Sequence, residues 1–253
     1  MEQPPSAFLI IGHPGHELQI HHWLETVRPR VFALTDGSGA DGAGRLHASR
    51  ACLAAVGAEA GGVFGPLSDR AWYQVLLAAD PGPLLACGRA ILAEALDRRP
   101  SLIVSDGAEG YNPLHDLAAA LAQTVCQALA TRGVVIERRS FPVAGPIRTD
   151  RPLSELRLDA PSVARKLAAA GAYAGLEGEI EQRLAEPGFE LAAERFYRPE
   201  PEPPPNWRPG YETVGKARVA LGRYPAAIEY TRHLRPLIEV LRRELVGEAL
   251  TAG

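Results

Sequence analysis

The sequence is poor in cysteine and has no excess of basic charge. It also lacks any apolar run near the ~20 residues that a membrane helix needs. Each absence removes a class of protein. The three cysteines, Cys52, Cys87 and Cys126, lie far apart and form no Cys-x-x-Cys pair. Each sits in an apolar, helix-like stretch, which reads as buried free thiols in a reducing compartment. Lys and Arg number 27 against 30 Asp and Glu, and a net charge of −3 offers no basic footprint for nucleic acid. The opening Met-Glu-Gln-Pro-Pro has neither the basic nor the apolar region of a signal peptide. The expectation is a cytoplasmic protein with no membrane and no nucleic-acid partner. No internal repeat is visible. Gly-x-x-x-x-Gly-Lys-[Ser/Thr] and Gly-x-Ser-x-Gly are both missing, which argues against a P-loop NTPase and a nucleophile elbow.

What is present points to a globular α/β chain. Hydrophobic residues are 46 % and charged residues 23 % of 253, an ordinary soluble composition. Strand-like runs fall at 7–12, 31–35, 102–105 and 134–137, with a weaker one near 62–64. Helix-like runs fall between them at 45–56, 71–79, 84–97 and 117–131. In the last, Leu117, Leu121, Val125 and Leu129 repeat every four residues and mark one buried face. Strands alternating with helices imply a mostly parallel sheet flanked by helices on both faces. Residues 141–253 differ and read as a mostly helical extension packed on the same domain. Helices are expected over 163–172, 176–184 and 226–248, with Pro236 kinking or breaking the last. The Pro-rich segment 199–210 excludes regular helix and central strand, and leaves an extended surface segment with Trp207 as an anchor.

Two imidazoles and a carboxylate cluster where the first strand ends, in His13-Pro14-Gly15-His16-Glu17. In open α/β sheets, ligands bind outside the carboxyl ends of the strands. His-x-x-His lets two rings converge on a metal if the backbone turns there. A third ligand, His115, lies in the loop after the strand at 102–105. Three protein ligands with one open position are the pattern of a catalytic zinc site, where a bound water becomes a nucleophile. The bland alternative is that these are surface or core histidines, the reading given to His21, His22, His47 and His233.

The same residues resemble the PIG-L/LmbE family. The resemblance rests on Phe8–Glu17, on Leu34-Thr35-Asp36-Gly37-Ser38-Gly39, on Arg45 opening a helix that ends at Gly57, and on Asn112-Pro113-Leu114-His115. It covers about the first 140 residues, so 1–140 is the expected metal-binding core. The family are zinc-dependent de-N-acetylases with a Rossmann-like fold, acting mostly on N-acetylglucosamine-type sugars or their conjugates. The resemblance therefore implies Zn2+ held by His13, His16 and His115, and a small N-acylated sugar or conjugate as substrate. A homo-oligomer is compatible with it.

The chain departs from the family pattern, His-Pro-Asp-Asp-Glu and His-Pro-x-His. The second ligand, an aspartate, becomes His16. The catalytic-base aspartate falls on Gly15, and the carbonyl-polarising histidine on Asn112. Loss of a general base typically costs ~10²–10⁴-fold. Asp36, Asp106, Glu109 and Asp116 lie on predicted loops at the same rim, and Glu17 follows the ligand. Asp36 and Asp116 are the preferred replacements, either as base or as partners that orient an imidazole. Asn112 can donate to an oxyanion. Arg45 is placed to bind an anionic substrate group or to pair with a rim carboxylate. Tyr111 is placed to stack on a sugar or to pack in its loop.

Two other readings stand beside the hydrolase. One is a family member with altered or lost catalysis that binds metal or carbohydrate, motivated by Gly15. The other is a nucleotide enzyme using Gly37–Gly42, which fits Gly-x-Gly-x-x-Gly. Against the latter, the motif follows the second strand and carries Asp36 and Asp41, which repel a pyrophosphate. The Pro-rich extension, with Trp207, Tyr211, Arg218 and Tyr224, is expected to cover the cleft.

Overall fold

The apolar runs AFLII and RVFALT form the centre of a five-stranded parallel sheet. A computed structural model describes residues 6–39, 42–144 and 150–251, with side chains through Gly247. The strands are β1 (Ala7–Ile11), β2 (Arg30–Thr35), β3 (Glu59–Leu67), β4 (Leu102–Asp106) and β5 (Glu137–Phe141), in the order β3-β2-β1-β4-β5. The helices among them are α1 (His21–Val27), α2 (Leu46–Val56), α3 (Asp69–Ala78), α4 (Gly82–Arg98) and α5 (Pro113–Ala130).

Both faces of the sheet are buried, as helix crossovers require. Phe8, Ile10, Phe32, Leu34 and Ile103 pack with Trp72, Ile91, Leu121 and Val125 on one side. Leu9, Ile11, Val31, Ala33 and Val104 pack with Trp23, Leu24 and Leu53 on the other. The chain builds outward from β1 to β3, then crosses to β4 on β1's other side. The order reverses at β1/β4, so the crevice for chemistry opens at the carboxyl ends of those two strands.

The rest of the chain supplies β6 (Ser154–Arg157), α6 (Ala160–Gly171), α7 (Glu177–Leu184), β7 (Ala193–Phe196), α8 (Gly210–Ala220) and α9 (Arg235–Thr251). The antiparallel pair β6/β7 reaches the main sheet through a bridge between Ser140 and Tyr197. Glu194 fastens this region to the core. Its buried carboxylate accepts the His22 and Trp23 N–H groups at the start of α1 (2.9 and 2.8 Å) and pairs with the buried Lys166 at 2.8 Å. α9 packs on α4 at Gly88, where a Cβ would come within 2.8 Å of Leu245 and 2.9 Å of Leu241.

Several boundaries differ from the sequence expectation. The strand expected at 134–137 lies at Glu137–Phe141. The final helix starts at Arg235 after a π turn over Tyr230–Leu234. Pro236 thus stands at the junction where the π turn passes into α9, next to Arg235, whose N–H the Tyr230 carbonyl accepts. The Pro-rich segment has no helix or strand from 199 to 209, turns where the Trp207 N–H donates to the Pro204 carbonyl, and enters α8 at Gly210. Among the described residues, no single helix is long and apolar enough to cross a membrane.

Candidate metal centre

Gly12 brings the elements of the site together. A Cβ there would stand 2.9 Å from the Leu114 carbonyl oxygen, so glycine lets the end of β1 press against the first turn of α5. From Gly12 the chain enters a tight turn through Gly15, whose φ of +112° and ψ of −23° suit a residue without Cβ. His13 precedes that turn, and His16 opens a short 3-10 helix, His16–Ile20. On the facing element, Asn112 caps α5 by accepting the Leu114 N–H at 2.9 Å, and Pro113 follows as the first helical residue. The helix therefore begins earlier than the 117 expected from sequence. His115 and Asp116 lie on its first turn and not in a loop.

The three rings meet. Centroids are 5.2 Å apart for His13–His16, 5.3 Å for His13–His115 and 4.5 Å for His16–His115. Each ring offers a nitrogen within 4.8 Å of the others. Burial pushes the His16 imidazole well below its ordinary value, helped by the charges of His13 and Arg45. Burial also lowers His115 to about 4, aided by His16. Neutral imidazole is the form that ligates metals.

A carboxylate stands beside each ring. Asp69 reaches His13 Nε2 at 3.1 Å, Asp106 reaches His16 Nδ1 at 2.8 Å, and Glu109 lies 3.8 Å from His115 Nδ1, an ion-pair distance beyond hydrogen bonding. Burial drives the fully enclosed Asp106 up to about 7, against the opposing pull of His115 and the Gly12 N–H. For Asp69, burial is outweighed by the His13 contact and by the Gly39 N–H, which hold it at about 2. Burial likewise raises Glu109, but His115 and the N–H groups of Val143 and Ala144 keep it below its ordinary value.

The other sequence candidates fall into place around this cluster. Asp36 accepts the Ser38 N–H at 2.9 Å, and its carbonyl accepts the Arg45 N–H at 2.7 Å, so it shapes the loop after β2. Asp116 accepts the Gly110 N–H at 3.0 Å; its Oδ2 is buried without a partner, and burial raises its carboxyl to about 8. Among the described residues, the carboxylates paired with the three histidines are Asp69, Asp106 and Glu109, and not Asp36 or Asp116. Arg45 pairs with Glu179 at 3.3 Å. Tyr111 is 59 % exposed, with its ring 6.2 Å from that of His115. Glu17 is a structural residue: buried, it accepts the Gly15 N–H at 2.7 Å and the Tyr173 hydroxyl at 3.0 Å. His47 is exposed, and His233 accepts the Glu229 N–H at 2.8 Å, apart from the cluster.

Sequence reasoning did not single out Asp69 or Leu176. Asp69 follows β3, two strands away from β1, and takes the Gly39 N–H in addition to His13. Leu176 fills the space where a Gly15 side chain would begin. The Gly-rich segment is partly outside the described residues, at Ala40 and Asp41; Gly37, Gly39 and Gly42 all have positive φ. Of the extension, Trp207 lies against Gly110 and stacks edge-on with Tyr230 at 5.0 Å, and the Tyr211 N–H donates to the Gly110 carbonyl. Arg218 instead donates to the Tyr224 hydroxyl, and the Tyr224 ring meets that of Tyr73.

The donor set fits a divalent cation. His13 Nδ1 and His115 Nδ1 are buried without hydrogen-bond partners, as is Asp106 Oδ1. Three mostly enclosed imidazoles ringed by carboxylates lack only a positive charge.

No family model matches the sequence, and no curated protein matches it. Solved structures do. The A40926 pseudoaglycone deacetylase Dbv21 superposes with a TM-score of 0.53 at 16 % identity, over 79 % of this chain and 100 % of that one. A triple mutant of the deacetylase of the teicoplanin biosynthetic pathway, Orf2*T, gives 0.52 at 13 % identity, over 77 % and 99 %. At such identities the likeness speaks for architecture alone: this chain shares the fold of these two deacetylases.

Proposed function

We propose that this chain is a zinc-dependent hydrolase that cleaves the amide bond of an N-acylated sugar or sugar-like metabolite. The observation that carries the reading is the convergence of His13, His16 and His115 at the carboxyl ends of β1 and β4. Those three residues would hold the ion. Zinc at such a site polarises a carbonyl and lowers the pKa of water. Asn112 spends its side-chain oxygen on the helix cap, which leaves its amide N–H groups to stabilise an oxyanion. Arg45 would bind an anionic or hydroxyl group of the substrate, and exposed Tyr111 would stack on a sugar face. The proton acceptor is not at position 15. Asp36 and Asp116 remain candidates for it, joined by Asp69, which touches His13 and keeps a side-chain exposure of 17 %.

A specific observation favours a second reading, a metal-binding relative with altered or lost catalysis: Leu176 occupies the place where a base at residue 15 would project. One experiment separates them. Elemental mass spectrometry of the purified protein, beside a His16→Ala/His115→Ala variant, is expected to find about one zinc per chain, lost in the variant. Metal-dependent turnover of an N-acyl sugar would then establish the hydrolase. Zinc without turnover across an N-acyl panel would favour the binding protein, and no zinc even after loading would overturn the metal reading.

A further inference from the structure

We infer that Asp106 is a positioning residue, which locks the His16 ring so that Nε2 is its only nitrogen available to a metal. The inference rests on the reading of His16 as a ligand. Asp106 is the last residue of β4, and β4 runs beside β1 with Ser105 opposite Ile10. That register places the Asp106 carboxylate beneath the turn that carries His13 and His16. Its Oδ2 accepts the Gly12 N–H at 2.7 Å and lies 2.8 Å from His16 Nδ1. The same Oδ2 already accepts from the Gly12 N–H, so His16 meets an acceptor oxygen with its proton on Nδ1 and keeps its lone pair on Nε2.

Two further observations separate Asp106 from Glu109. First, it is fully enclosed, with Oδ1 unpartnered, whereas Glu109 spends both oxygens on the N–H groups of Val143 and Ala144. A buried carboxylate is costly unless opposite charge lies near, and the histidine cluster is where a cation would supply it. Second, it stands within hydrogen-bond distance of its ring, unlike Glu109 at 3.8 Å from His115. Asp106 ends β4 and the turn that carries His16 leaves the neighbouring β1, so the sheet brings the two elements together. His16 itself begins a short 3-10 segment after a glycine turn, and the Asp106 contact adds a directional hydrogen bond to the packing of its ring against His13 and His115.

The test uses Co2+ as the probe, with wild type, Asp106→Asn and Asp106→Ala. Asparagine retains an acceptor for His16 and alanine does not. Removing such an outer partner typically costs about 10- to 100-fold in metal affinity. Chelator competition is expected to rank wild type above Asp106→Asn and that above Asp106→Ala, with the visible Co2+ bands shifted in both variants. Equal affinities with identical bands would overturn the proposal. Should the variants fail to fold, nitrogen NMR of histidine-labelled wild-type protein decides: His16 protonated on Nδ1 supports it, and on Nε2 overturns it. If wild type binds no Co2+, the hydrolase reading falls, while the His16 tautomer in that same metal-free protein still judges the Asp106 contact.

Discussion

Leu176 stands over Gly15: a Cβ on the glycine would overlap the leucine's Cδ1. Three residues before Leu176, the Tyr173 hydroxyl donates to Glu17, whose carboxylate also receives the Gly15 N–H. The turn between the two histidines is thus clamped from below by Glu17 and from above by the segment that joins α6 to α7.

Gly15→Asp is therefore expected to destabilise the protein and not simply to restore a base. Backbone strain at a glycine-only φ costs ~1–3 kcal/mol, and overpacking adds ~1–3 kcal/mol. Urea unfolding checks the sum. In a double-mutant cycle the penalty of Gly15→Asp should be smaller in a Leu176→Ala background, since only the overlap is relieved. A Gly15→Asp protein with an unchanged midpoint would contradict the clash.

Zinc is expected to raise the melting temperature of the wild-type protein and to leave His115→Ala unmoved. Binding to the folded state alone stabilises it by ~2.7 kcal/mol at a free metal concentration of 100 Kd. Calorimetry in a zinc-buffered series reads this directly. An equal rise in the variant would place the bound metal somewhere other than the three histidines.

The cysteines should be slow to alkylate in the native state. Burial, with the nearby Glu17 charge, pushes the Cys52 thiol to about 12, and burial pushes Cys87 and Cys126 to about 11. The thiolate is the reactive form, so at pH 8 its fraction is far below that of a free thiol. Iodoacetamide labelling followed by mass spectrometry should be minimal at pH 8, increase as pH approaches the raised values, and become fast in denaturant. Rapid native labelling of Cys52 at pH 8 would refute its burial.

Lys166→Met should cost ~3–5 kcal/mol, because it leaves the buried Glu194 carboxylate without its counter-charge. Glu194 also holds the first N–H groups of α1, so the loss should appear as faster hydrogen exchange in that helix. Denaturation and exchange rates indistinguishable from wild type would show that the pair contributes nothing to docking the extension.

The parallel core was legible in the sequence because β1, β2 and β4 are short, apolar and buried on both faces, and that burial leaves a compositional trace. The edge strand β5 reads ERRSF, and its polar residues hid it behind the more apolar Val134-Val135-Ile136, which form no strand. The strands β6 (SELR) and β7 (AERF) escaped for the same reason: four residues, half of them charged, carry no clear alternation. Helix α5 was recognised, but its start was missed, since Asn112 and Pro113 announce a helix only once a cap is looked for.

For the site, the sequence by itself determined which histidines stand at strand exits, because their spacing from apolar runs is local. It also determined that position 15 has no side chain. Only the tertiary structure decided what surrounds them. Asp69 lies 56 residues from His13 and Asp106 lies 90 from His16, and sheet order alone brings each carboxylate to its ring. Leu176 reaches Gly15 from the extension across 161 residues. Such contacts depend on how strands order and helices dock, which is a property of packing the whole chain and leaves no mark in any short window of sequence.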